Sequence, residues 1–331
     1  MHVLELVLIP LLCFILGILL NYEVRKVYAR SQYRLGPLLS MYGGLRSIYG
    51  STRILQPLYD VLKLFFKETI IPKSARKWVF ILSPLISFIL ALLTSYFISY
   101  GGLSLLSSNS FSIIFITYLF IGISFFWVFG GLASSSSWSI VGSRREAELL
   151  LSIEVALLSS IFSSAIISNS LSIDGIINFQ LLSYPMILLN PFAAIVFIIA
   201  ILGKLHFNPF EIPEADVEIV SGPYTEYSGK LLALILFSRY ILTTTLVGLF
   251  VNLFLCGGII LNPINIYNQS INIIIFVVEC FIVMFIISLI HSIAPRFRID
   301  QALSWSIKYL WPLSAWSIIF SLIIKSILGG S

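Results

Sequence analysis

Apolar runs long enough to cross a lipid bilayer recur from one end of this chain to the other, and that repetition constrains the fold more than any motif does. A hydrocarbon core about 30 Å thick requires roughly 20 apolar residues per spanning helix. Such stretches lie at 3–22, 79–100, 111–132, 149–168, 185–206, 231–252, 271–293 and 307–328. Charged residues make up 11% of the chain and hydrophobic ones 58%. Soluble domains carry about 25% charge, so a soluble globular fold is excluded. A secreted domain behind a signal peptide is excluded as well, because the apolar runs do not stop after the first. Membrane-spanning strands would alternate polar and apolar positions, whereas these runs are continuously apolar. The expectation is an all-α polytopic membrane protein: one membrane domain over residues 1–331 with about eight transmembrane helices.

Basic residues are unevenly placed. The loops after the first, third, fifth and seventh runs (23–78, 133–148, 207–230 and 294–306) hold or border almost every Lys and Arg, and the remaining loops carry only Asp174. The positive-inside rule puts these four loops in the cytoplasm and both termini outside the cell (plasma) membrane. Topology also accounts for the net charge of +5, so no nucleic acid is expected as a partner. Cys13, Cys256 and Cys280 lie in apolar runs without C-x-x-C spacing, and His2, His206 and His291 are scattered. Neither a disulfide framework, a cluster motif nor a metal site is written in them. Glycine-rich nucleotide-binding strings and internal repeats are likewise absent. Any redox centre must belong to a partner.

Three features carry candidate chemistry. From Leu58 the residues Leu58, Val61, Leu62, Phe65 and Phe66 share one helical face while Asp60, Lys63 and Lys67 share the other, with Pro57 suited to the first turn. This amphipathic helix is expected along the membrane surface, as a lipid anchor or as a docking site for a partner. The loop from Asn208 to Tyr227 carries Glu211, Glu214, Asp216, Glu218 and Glu226 with no Lys or Arg between Lys204 and Lys230. Pro213 can open a short helix and Gly222 can close it, which puts Glu214 and Glu218 on one face. Crowded carboxylates beside hydrocarbon raise one another's pKa, as a proton path needs; a solvated acidic loop facing a basic partner is the other reading. Finally, Glu154, Arg239 and Glu279 fall inside predicted spans, where a charge costs about 2.5–3.5 kcal/mol and normally faces a partner in the bundle. Arg239 is a candidate partner for either glutamate. Glu146 and Glu154 are eight residues apart, about 80° of helix rotation, so they project from one side of a helix. The pattern fits a file of carboxyls or a structural Arg–Glu lock.

At these residues the sequence resembles subunit 1, the H-type membrane subunit, of respiratory complex I (NADH-quinone oxidoreductase) and the homologous membrane subunit of energy-converting membrane-bound NiFe hydrogenases and formate hydrogenlyase-type complexes. The likeness rests on Gln32-Tyr-Arg34-Leu-Gly36-Pro37, on Leu55-Gln56-Pro57 through Glu68, on Gly142-Ser-Arg144-Arg145-Glu146-Ala147, on Pro209 through Tyr227, and on Pro295-Arg296-Phe-Arg298-Ile-Asp300-Gln301. The resemblance implies a coupling subunit between a peripheral redox arm and antiporter-like ion-pumping subunits, with no catalytic centre of its own. Iron–sulfur clusters, and a NiFe centre or quinone according to branch, would sit in partner subunits: a cluster-binding small subunit and a hydrogenase-like large subunit. By position, it implicates Glu211, Glu214, Asp216, Glu218, Glu226 and Glu154 in a proton or ion path, with Glu146 added because it shares a helix side with Glu154, and Glu279 added from its span. Arg34, Arg144, Arg145, Arg296 and Arg298 become charge partners beside Arg239, and Gln56, Pro57, Asp60, Lys63 and Lys67 a docking strip for the arm. Ser143 to Ala147, Pro209 to Ala215, Thr225 to Gly229 and Arg298 to Ala302 resemble the hydrogenase-like branch; Val220-Ser-Gly222 and Glu226-Tyr227 resemble the quinone-reducing one. The balance favours the former; the stretch between Pro37 and Leu55 is longer than either branch usually has and lacks the second Gly-Pro of the quinone-reducing pattern. A stand-alone transporter or channel using Glu154, Arg239 and Glu279 is the alternative outside this class.

Overall fold

The computed structural model describes residues 2–33, 55–259 and 266–328, so Arg34 and the Gly36-Pro37 segment lie outside the described residues. In chain order the helices are α1 (His2–Ser31), α2 (Gln56–Phe65), α3 (Lys77–Ser95), α4 (Ser112–Ala133), α5 (Ser137–Ser168), α6 (Ile173–Leu182), α7 (Met186–Leu189), α8 (Pro191–Lys204), α9 (Asp216–Ile219), α10 (Gly229–Phe254), α11 (Ile266–Ile293), α12 (Ile299–Trp305) and α13 (Trp311–Leu328). A π-helical stretch, Ser306–Leu310, joins α12 to α13 just before Pro312, which has no N–H to give the ladder. Helix is the dominant structure among the described residues, and seven runs are long and apolar enough to cross a membrane. The protein is an all-α, multi-pass membrane protein.

The fifth expected span, 185–206, takes a different form. Pro185 and the Asn190-Pro191 pair break it, leaving α8 with 14 residues. At 1.5 Å per residue that is about 21 Å, short of a full hydrocarbon core. Two buried amides tie this broken segment down. Asn190 Oδ1 caps α8 by accepting from Ala193 N–H at 3.2 Å, and its Nδ2 donates to Ser317 O. Gln180 Nε2, on α6, donates to the carbonyls of Asn252 and Leu253 at the end of α10, and its Oε1 accepts from Met186 and Cys256 N–H. A buried helix end needs such partners, because its terminal backbone groups have none within the helix.

Helix α5 begins about three turns before the expected span at 149. The Gly142-Ser-Arg-Arg-Glu146 motif, expected in a loop, is therefore helical, and the connection from α4 shrinks to Ser134–Ser136. Likewise α1 continues past residue 22, so Arg25, Lys26 and Arg30 are helical. Helix α10 packs against α1, α2, α3 and α11, while α5 packs against α4, α8 and α13. These two helices form the centre of the bundle. The approach of α8 to α5 depends on Gly203, where a Cβ would fall 1.7 Å from Ile153 Cδ1.

Helix α2 lies against α1 and α10, with Val61 fully buried beside Ala233 and Tyr240. Leu58 and Phe65 join that contact, but Leu62 and Phe66 of the expected apolar face point outward and Leu64 packs instead.

Candidate functional site

The acidic segment is folded into the bundle rather than solvated. Phe210, Ile212, Ala215, Ile219, Pro223, Tyr224 and Tyr227 are buried. Ser139 Oγ of α5 donates to Pro223 O at 3.0 Å, Tyr227 Oη donates to Phe80 O at 3.1 Å, and the Tyr227 and Phe80 rings stack at 4.1 Å. At the other end Asn208 N–H donates to His291 Nδ1 and Phe297 N–H to Pro209 O. The expected helix from Pro213 to Gly222 is reduced to the single turn α9. Gly222 is instead a point of close approach: its φ is +51°, and a Cβ there would lie 1.8 Å from Pro213 O. Only glycine fits such a turn without strain.

This packing separates the loop's acids. Glu214 turns inward, where its Oε1 meets His206 Nδ1 at 2.6 Å and the Arg239 guanidinium. Across the imidazole, His206 Nε2 lies 3.1 Å from Glu146 Oε1 on α5. Arg239 rests over the rings of Trp127 and Tyr224, its Cζ at 5.7 and 4.9 Å from their centroids. Deeper along α5, Glu154 is ion-paired with Lys204 of α8, and both are buried. A small cavity lined by Ser124, Glu146, Glu154, Lys204 and His206 lies between the two groups. The second carboxylate oxygens of Glu146 and Glu154 have no hydrogen-bond partner among the described residues. The arrangement holds charge in apolar surroundings, fastens the loop to α5 and α10, and sets titratable groups within proton-exchange distance.

Glu218 turns outward. Arg145 Nη1 donates to its Oε2 at 2.6 Å and Arg296 lies 3.5 Å away. That hydrogen bond and the neighbouring Arg296 and Arg298 guanidiniums hold its carboxyl below the ordinary carboxylate range. The expectation that crowding lifts the loop's carboxyls therefore fails at Glu218, because its near neighbours are cations. Glu214 and Glu218, expected on one face, serve opposite sides of the loop, because α9 is too short to align them.

The other expected residues fall as follows. Glu211 acts electrostatically on Arg239 together with Glu146. Asp216 begins α9, and its side chain lies outside the described part. Glu226 is half-buried in the turn before α10, without an ion pair among the described residues. Glu279 sits apart in α11, accepting from Gly258 N–H. Arg239 was expected to neutralise Glu154 or Glu279; it pairs with Glu214 instead, because the loop folds back onto α10 and Lys204 already serves Glu154. Arg144 is exposed, and Arg298 is the N-cap of α12, with Gln301 Oε1 accepting its N–H. On α2, Gln56 and Pro57 form the first turn, Asp60 pairs with Arg25 at 2.7 Å, and Lys63 is exposed, as is Lys67 just past the helix. The charge cluster also contains four residues that pattern reading missed: His206, Lys204 in its pairing role, Trp127 and Tyr224.

These features define a class: a multi-pass helical membrane protein whose central helices enclose a branched set of ion pairs, one side of it supplied by a packed acidic loop. The NADH dehydrogenase family pattern matches residues 4–322, and the chain belongs to that family. It is 32% identical over 306 residues to the H-type subunit of the NADH-quinone oxidoreductase of Syntrophotalea carbinolica, covering 89% of this chain and 87% of that one. It is 31% identical over 305 residues to the protein of the same name from Bacillus cereus, covering 92% and 87%. Among solved structures it matches a chain of the membrane-bound sulfane sulfur reductase, an archaeal respiratory membrane complex, with a TM-score of 0.84 and 26% identity over 96% of this chain and 98% of that one.

Proposed function

We propose that this chain is the coupling subunit of a complex I-related respiratory assembly, joining a peripheral redox arm to antiporter-like ion-pumping subunits. In this reading the basic end of the bundle faces the cytoplasm and receives the arm. The observation that carries the reading is the file of charged groups from Glu214 in the loop, through His206 to Glu146, and across a small cavity to the Glu154–Lys204 pair inside the bundle. Charge is costly at such depth, so a line of five ionisable side chains indicates use rather than packing. Redox chemistry in the arm would shift the loop and rearrange protons along the line, biasing a two-state element that the antiporter-like subunits read.

The hydrogenase-like or sulfur-reducing branch is favoured by the motif likeness and by the 0.84 TM-score to the sulfane sulfur reductase chain. A quinone-reducing role is the second reading, favoured by the relatives named as NADH-quinone oxidoreductase subunits. Affinity purification from native membranes in mild detergent, with partners identified by mass spectrometry and the preparation assayed with hydrogen, sulfur and quinone, separates the branches. Co-purification of a cluster-bearing arm and antiporter-like subunits is the expected result. Recovery of the chain alone overturns the coupling role.

A further inference from the structure

His206 occupies a backbone position where glycine is the usual choice. It follows α8 with φ +55°, His206 N–H bonding to Gly203 O and Phe207 N–H to Leu202 O, which is the paired-bond helix ending that favours a left-handed residue. A residue with a Cβ is strained there relative to glycine. What the residue brings in exchange is its ring. Each imidazole nitrogen has a different carboxylate: Nδ1 meets Glu214 of the loop at 2.6 Å, and Nε2 meets Glu146 of α5 at 3.1 Å. Arg239 Nη2 stands 3.3 Å from Nδ1, the Trp127 ring packs edge-on at 6.2 Å, and Lys204 and Glu154 line the adjoining cavity.

Both nitrogens can donate only when the ring is an imidazolium. In that state two carboxylates face two cations, His206 and Arg239, and the group of four is neutral. A neutral ring can donate at one nitrogen only, so the second contact holds only if the carboxyl there carries the proton. The cluster thus has three arrangements that differ by the position of one proton: on Glu214, on the ring or on Glu146.

We propose that His206 is the proton relay between the acidic loop and the membrane helix, exchanging one proton between Glu214 and Glu146. As the proton enters, the O–H bond of Glu214 breaks and an Nδ1–H bond forms. As it leaves, the Nε2–H bond breaks and an O–H bond forms on Glu146. One proton is displaced, the ring ends neutral as the other tautomer, and the reverse transfer resets it. Arg239 stabilises the Glu214 carboxylate that the forward step leaves behind. The inference rests on the coupling role proposed above and names the residue through which loop and bundle exchange charge.

The test uses the intact complex in everted membrane vesicles, driven by whichever donor and acceptor the purified assembly is shown to use. His206→Gln keeps an amide of similar size but cannot pass a proton from one nitrogen to another; His206→Ala opens room for an added base. Assembly and electron transfer are expected to persist in both, while ions moved per electron fall by about tenfold or more. Imidazole added to His206→Ala is expected to restore part of the ion movement. With 1-methylimidazole, whose protonated form has a single N–H, no recovery is expected. Full ion movement in His206→Gln overturns the relay. So does equal behaviour of the two bases, whether both restore movement or neither does. If Glu146→Gln and Glu154→Gln also leave ion movement intact, the coupling reading itself falls; if they abolish it while His206→Gln does not, only the relay falls.

Discussion

Two charged ties join α5 to the acidic loop, and they start from adjacent residues. Arg145 reaches Glu218 at the rim, where the carboxylate is half exposed; Glu146 reaches Glu214 through His206, in surroundings where the imidazole is 5% exposed. The outer tie is a direct ion pair between permanent charges at neutral pH. The inner tie passes through a titratable ring, has at its loop end an arginine lying over the Trp127 and Tyr224 rings, and faces a second buried pair across a small cavity. Solvent separates them in kind: an exposed pair is screened and worth about 0–1 kcal/mol, whereas a buried charge that loses its partner costs several. The outer contact is therefore suited to guiding the loop, and the inner one to responding to a proton.

The largest effect is expected where burial is deepest. Lys204→Met leaves Glu154 buried without its cation and should destabilise the protein by about 3–5 kcal/mol, read as a lowered midpoint in detergent thermal melts. The double variant with Glu154→Met should recover most of that loss, because an apolar pair of similar volume needs no desolvation. If the single variant melts like the parent, the comparison fails at its inner end.

Gly222→Ala should come next. Its left-handed backbone alone costs about 1–2 kcal/mol for a residue with a Cβ, and the 1.8 Å approach to Pro213 O forces the loop to shift. That shift withdraws Glu214, so loss of coupled ion movement is expected to accompany the fall in melting temperature. Retained coupling would show that the loop's position is not what sets Glu214 against His206. Tyr227→Phe is milder. It removes the hydroxyl that donates to Phe80 O while keeping the ring stack, a loss of about 0.5–1.5 kcal/mol. Hydrogen exchange at the start of α10 should quicken; unchanged exchange would mean the ring contact alone anchors this end of the loop.

How far this contrast was legible in the sequence depends on the range of the interactions. The spanning helices follow from hydropathy, a property of each residue summed along the chain. The break at Asn190-Pro191 was written locally too, but an unbroken apolar run masked it, since hydropathy does not register a missing N–H. Glu154 and Arg239 stood out as charges in apolar runs, yet their partners did not, because Lys204 and Glu214 reach them only after helices pack and the loop folds back. Lys204 read as a topology signal at the end of a span. His206 carried no spacing partner to mark it as a site. The one available signal was stoichiometric: a segment with five acids and no Lys or Arg, beside a helix with three further glutamates, leaves few cations to balance it, and His206 lies within that segment.

The smallest effect belongs to the outer tie, and its pH dependence distinguishes it from the inner one. Arg145 holds the Glu218 carboxyl below its usual range. A depressed folded pKa means the tie contributes fully above the unfolded carboxylate value and is lost as pH falls through the lowered one. From neutral pH down to the ordinary carboxylate range, the Arg145–Glu218 contact should therefore not change. Arg145→Ala should cost at most about 1 kcal/mol, shrink as salt is added, and leave the inner cluster in place. Hydrogen exchange over α9 in the parent and in Arg145→Ala, followed in low and high salt, measures this. A loss of several kcal/mol that salt does not reduce would mean the rim pair is part of the buried network after all, and the division between a guiding tie and a responding tie would have to be redrawn around Glu218.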